Sequence, residues 1–174
     1  MLHSGSLRIS PEDQGRRAVS EAGPPRSFGA YTRDELRRSY ADAWRKYRVR
    51  SPLTPLEALI VDVLVLHPEY QALVSNAAAA LAFHPAADGA QENPFLHMGL
   101  HLAIREQLSI DRPPGVRALL ESLKARLGDV HEAEHALTES LAEALWEAQR
   151  SGREADEGRY LELARRRLAS AAAR

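Results

Sequence analysis

Two His-x-x-x-His pairs, His97/His101 and His131/His135, are the residues of this chain best suited to chemistry. Residues four apart on a helix lie about 40° apart around its axis and one turn apart along it, so both imidazoles of a pair can reach one ion. Two such helices facing each other would offer four nitrogens. His67, at the end of another apolar run, would add a fifth. Imidazole with carboxylate suits a divalent transition metal: zinc, iron, manganese or nickel. An all-histidine set leans to zinc. Adding Glu132 or Glu139 would lean to iron or manganese. An ion with an open coordination position could activate water or dioxygen.

The carboxylates nearby are of several kinds. Glu132 and His135 have the Glu-x-x-His spacing of di-iron carboxylate bundles. Glu139 follows His135 by one turn. Glu134 falls almost within a leucine stripe, where an ionised group needs a partner. Asp62 stands among Ala58, Leu59, Val65 and Leu66 and should need one too, with Arg105 the expected ion pair. The segment His131-Glu132-Ala133-Glu134-His135 also matches His-Glu-x-x-His, in which two histidines hold zinc and the glutamate is the general base. A zinc hydrolase using Glu132 is therefore one alternative, although no strand edge is evident to align a peptide. The other alternative is a metal-free adaptor module, its inner histidines hydrogen-bonded to Glu132, Glu134, Glu139 or Asp62. An unidentified protein partner or a homo-oligomer would suit that reading. No Gly-rich phosphate loop or nucleophile elbow occurs, and no organic cofactor is predicted.

Positioning these residues requires helices, and their punctuation is clear. Thr32 and Glu35 have capping-box spacing and open a helix to about Arg48, with Leu36, Tyr40, Ala43, Trp44 and Tyr47 on its apolar side. Thr54, Pro55 and Glu57 open a second, to His67, which is apolar nearly all round and should be buried on several sides. Pro68 ends or kinks it. Residues 69–83 read as short helical pieces and 84–93 as a loop. Asn93-Pro94 starts a helix to about Ser109. Another ends near Leu127 at Gly128. A long one runs from the Asp129 cap to about Arg150, before Gly152. Its core stripe is expected at Leu137, Leu141 and Leu145, and Trp44 and Trp146 are expected in the core. A last helix spans about 155–169. No segment alternates as a strand does. The fold expected is all-α: a single compact bundle of about five or six helices over residues 31–172, behind a flexible, disordered extension over residues 1–30.

Composition narrows the function classes. The 174 residues are enough for one domain with a core. A net charge of -1 gives no basic field for nucleic acid. The absence of cysteine excludes disulfides, thiolate metal sites and a cysteine nucleophile. No apolar run is long enough for a membrane span, and the polar N-terminus lacks the apolar centre of a signal peptide. The expected compartment is the cytoplasm.

Five segments are distinctive as a set: Asn93-Pro94-Phe95-Leu96-His97-Met98-Gly99-Leu100-His101, Thr54-Pro55-Leu56-Glu57, His67-Pro68-Glu69-Tyr70, His131-Glu132-Ala133-Glu134-His135 and Leu145-Trp146-Glu147-Ala148-Gln149-Arg150. Together they resemble a small bacterial family, domain of unknown function 1841, over about residues 31–163. The resemblance implies a compact cytoplasmic helical protein, with no assigned activity, substrate or ligand set. In pattern alone, histidines spread over several helices are similar to those of hemerythrin-like and DinB-like metal bundles. The full hemerythrin order of histidines and carboxylates is missing here. A DinB-like three-histidine site would need His67 together with one pair.

Overall fold

A computed structural model describes residues 32–85 and 93–171. The extension over residues 1–30, and most of the loop expected at 84–93, lie outside these described residues. Among them there are eight helices and no strand: α1 (Arg33–Arg48), α2 (Pro55–Leu66), α3 (Pro68–Val74), α4 (Ala77–Ala82), α5 (Pro94–Ile110), α6 (Val116–Leu127), α7 (Val130–Ser151) and α8 (Glu157–Ala171). Six of these are the long helices that the capping signals predict. The two short ones, α3 and α4, raise the count above five or six.

Local chemistry explains the boundaries. At the start of α2, the Glu57 N–H donates to Thr54 Oγ1 (3.3 Å) and the Thr54 N–H donates to Glu57 Oε2 (2.8 Å), a complete capping box. Asn93 Oδ1 accepts from the Phe95 and Leu96 N–H groups at the start of α5. Asp129 Oδ1 accepts from the Glu132 N–H at the start of α7. Gly128 (φ 79°) and Gly152 (φ 64°) close α6 and α7 in the left-handed conformation that a side chain disfavours.

Glu57 also accepts a bond from Lys46 Nζ at 2.6 Å, which ties α1 to the head of α2. Partial burial pushes its carboxyl up, but the bonds from Lys46 and Thr54 outweigh this and hold it below the ordinary value of 4.5. Because the folded value is the lower one, this contribution is complete above pH 4.5 and is lost as pH falls through the folded value. Wild type should therefore exceed Glu57→Gln by about 0.5–1 kcal/mol at pH 7, a gap that closes below about pH 4 in urea titrations. A gap that persists unchanged at pH 3 would mean that the charge of Glu57 contributes nothing.

The helices pack as two groups. α1 contacts α2, α3 and α4, while α7 contacts α5, α6 and α8; α5 joins the groups by packing on both α2 and α7. The α7 side has a continuous core that includes Ile104, Val116, Leu123, Ala133, Leu137 and Ala164. On the other side Tyr40, Ala43, Ile60, Val63, Leu64 and Val74 are buried.

Three expectations about burial are corrected. Leu145 is 41% exposed and Trp146 55% exposed, the latter covered by the Arg150 guanidinium 4.6 Å from its ring centre. Stepping by four from Leu137 rotates about 40° each time, so Leu145 has drifted off the face, and Ala144, about 20° away, is buried instead. Second, the burial of α2 on several sides stops at one face: Ile60, Val61, Val63 and Leu64 are buried, while Leu59, Val65 and Leu66 are exposed. Third, Asp62 is exposed on that outward side of α2 and needs no ion pair. Arg105 pairs with Glu134 instead. No helix among the described residues is long and apolar enough to cross a membrane.

Candidate metal centre

His67 lies between two helices rather than within one. It closes α2, its N–H donating to the Val63 carbonyl, and Pro68 begins α3 directly after it. Proline lacks the N–H that would continue α2, so the chain turns at His67 (φ −121°, ψ 69°) and its buried side chain enters the bundle. On α5, His97 and His101 sit one turn apart, and His101 is wholly buried. α7 runs antiparallel to α5: Glu134 meets His101 and Arg105, while residues later in α7 face the beginning of α5. That register puts His135 level with the α5 pair.

One ligand atom from each of His67, His97, His101 and His135 lies within 4.8 Å of all the others. The tightest part is a triad. His101 Nε2 is 3.2 Å from His67 Nε2 and 3.1 Å from His97 Nε2. Metal–nitrogen bonds of about 2.0–2.1 Å at a tetrahedral ion require nitrogens about 3.3–3.4 Å apart, so these spacings suit three nitrogens on one ion.

Two carboxylates fix the tautomers. Glu134 Oε1 is 2.7 Å from His101 Nδ1, and Glu69 Oε1 is 2.9 Å from His67 Nδ1. Each ionised carboxylate can only accept, so each Nδ1 carries the proton and each Nε2 presents a lone pair. Two lone pairs thus face each other across 3.2 Å. Burial pushes His67 down to about 4 and also lowers His101, in both cases against the pull of its carboxylate. Glu134 is itself buried, which raises its carboxyl, but hydrogen bonds from His101 and Arg105 prevail and keep it ionised. Arg105 grips it with Nε at 2.9 Å and Nη2 at 3.3 Å.

The remaining sequence candidates fall elsewhere. His131 is outside the converging set, but its ring packs against it, 4.2 Å from that of His135, 4.8 Å from that of His67 and stacked 5.6 Å from that of His101. His131 Nδ1 and His135 Nε2 are both buried without a hydrogen-bond partner among the described residues. Of the two, His135 Nε2 belongs to a residue of the converging set, where a buried imidazole nitrogen without a protein partner fits a place among the ligands of a cation. Glu132 and Glu139 are exposed, and Glu139 pairs with Arg167 at 3.0 Å. Neither belongs to the converging group. Sequence reasoning missed Glu69 as a partner of His67; its signal is the His-Pro-Glu order at a helix junction.

Fold and site together define a helical bundle with a buried histidine cluster that could hold a metal ion. Among known proteins, the family described as Domain of unknown function (DUF1841) matches residues 32–166. The chain belongs to that family. No curated protein and no solved structure matches it.

Proposed function

We propose that the chain is a metal-binding protein that holds one divalent transition metal ion through His67, His97, His101 and His135. The observation that carries this reading is the convergence of the Nε2 atoms of His67, His97 and His101, with the two Nδ1 protons of His67 and His101 held by Glu69 and Glu134. Carboxylates behind histidines orient the ligands and raise their basicity in metal sites. With nitrogen donors and outer carboxylates only, zinc is the favoured ion, ahead of iron, manganese and nickel.

Elemental analysis of tag-free protein purified without chelator tests this, alongside two variants. Wild type is expected to carry about one equivalent of a single metal. His67→Ala/His101→Ala should lose it while remaining helical by circular dichroism, and His131→Ala should keep it. Wild type that takes up no metal after incubation with zinc, iron and manganese would overturn the reading. Loss of metal in His131→Ala alone would replace the proposed ligand set with one centred on α7.

A further inference from the structure

A cavity of about 240 Å³ opens between α5 and α7, with His97 and His135 among its walls. Leu96, Leu100 and Ala142 supply the apolar lining. Its other polar side chains each have a protein partner. Asn93 caps α5, Thr138 Oγ1 donates to the Glu134 carbonyl, and Glu139 pairs with Arg167. The histidine end is therefore where an entering molecule would meet the proposed ion. Leu96, 57% exposed, lies uncovered beside the opening.

The candidate ligand set is also looser than a closed tetrahedron. Its nitrogens spread over as much as 4.8 Å, beyond the roughly 4.2 Å that two nitrogens could span across one ion at bonds of about 2.1 Å. The two short separations join His101 to His67 and to His97, while His135 Nε2 makes no hydrogen bond among the described residues. A set spread this widely leaves angular room for an outside donor on the side where His97 and His135 line the cavity. Because imidazoles are neutral, the ion keeps its full double charge and favours an anionic oxygen.

We propose that this cavity admits a small carboxylate with a short apolar tail, its carboxylate oxygen binding the ion and its tail lying against Leu96, Leu100 and Ala142. This rests on the metal site proposed above. At about 30 Å³ per water, the cavity holds the volume of about eight waters, which suits an acid of about four to six carbons.

Cobalt(II)-loaded protein tests the two ideas separately. Cobalt uptake, read by elemental analysis and by visible absorption, reports on the metal site. Titration with butyrate and acetate reports on the cavity. Butyrate is expected to change the cobalt spectrum saturably, at about tenfold lower concentration than acetate, because it buries two more methylenes. Ala142→Phe should weaken butyrate tenfold or more and acetate less than threefold, with cobalt stoichiometry retained. A cobalt-loaded protein whose spectrum ignores both acids, or that binds them equally, overturns the cavity proposal and leaves the metal site standing. Failure to take up cobalt removes both.

Discussion

Glu134→Ala should lower the unfolding free energy by about 3 kcal/mol, near the bottom of the roughly 3–5 kcal/mol range for breaking a buried ion pair. Glu134 is buried and holds two partners at once, His101 Nδ1 at 2.7 Å and the Arg105 guanidinium through two bonds. Truncation leaves the His101 N–H with no acceptor in a wholly buried position. Arg105 is 18% exposed and can turn toward water, which places the loss at the lower end of the range. Glu134→Gln keeps the shape and one acceptor oxygen, so it should cost less than the alanine change. It should still weaken metal binding by about 10–100-fold, the usual effect of losing a carboxylate behind a ligating histidine. Urea unfolding of both variants, with zinc competition against a chromophoric chelator, separates the effects. An alanine variant as stable as wild type would show that Glu134 is a bystander. A glutamine variant with unchanged affinity would show that the carboxylate does not orient His101.

Removing the ion should have an effect of similar size. A ligand that binds only the folded state, at a free concentration about a thousandfold above its dissociation constant, stabilises by about 4 kcal/mol. In a helical domain of this size that raises the thermal midpoint by about 10 °C. A chelator added to zinc-loaded wild type should thus lower the midpoint by about that much, and restored zinc should reverse the change. His67→Ala/His101→Ala should melt at one temperature with or without chelator. A midpoint that ignores chelator in a protein shown to contain zinc would mean that the ion sits on the surface rather than among these helices.

Much of this was legible in the sequence, for identifiable reasons. Caps and prolines act locally, so Thr54-Pro55, Asn93-Pro94 and Asp129 mark their helix starts directly. Glu134 declared itself by standing in an apolar stripe, and the structure gives it partners. The spacing of His97 and His101 carried straight into the site. What was not legible is the register between helices. The sequence ranks His131 equal to His135, and only the packing of α7 on α5 separates them, bringing His135 into the converging set and leaving His131 stacked beside it. His67 ranked lower because a residue at a helix break has no periodicity to aim it. Asp62 misled because α2 offers little polar contrast: beyond Glu57 in its first turn, Asp62 is its one charge and marks the solvent face, where a nearly uniform apolar helix suggested burial. Leu145 and Trp146 misled because a four-residue step does not follow a 3.6-residue turn indefinitely.

His67 is the one residue of the converging set that comes from outside α5 and α7. An ion shared between it and His135 would close the intervening chain into a loop in the folded state, tying the α2–α3 junction to α7 for as long as the ion stays bound. A chain without cysteine would then carry a staple that no change in redox potential can open. Its fastening would follow the supply of free metal, so the same protein could be taut or slack according to what the surrounding solution holds.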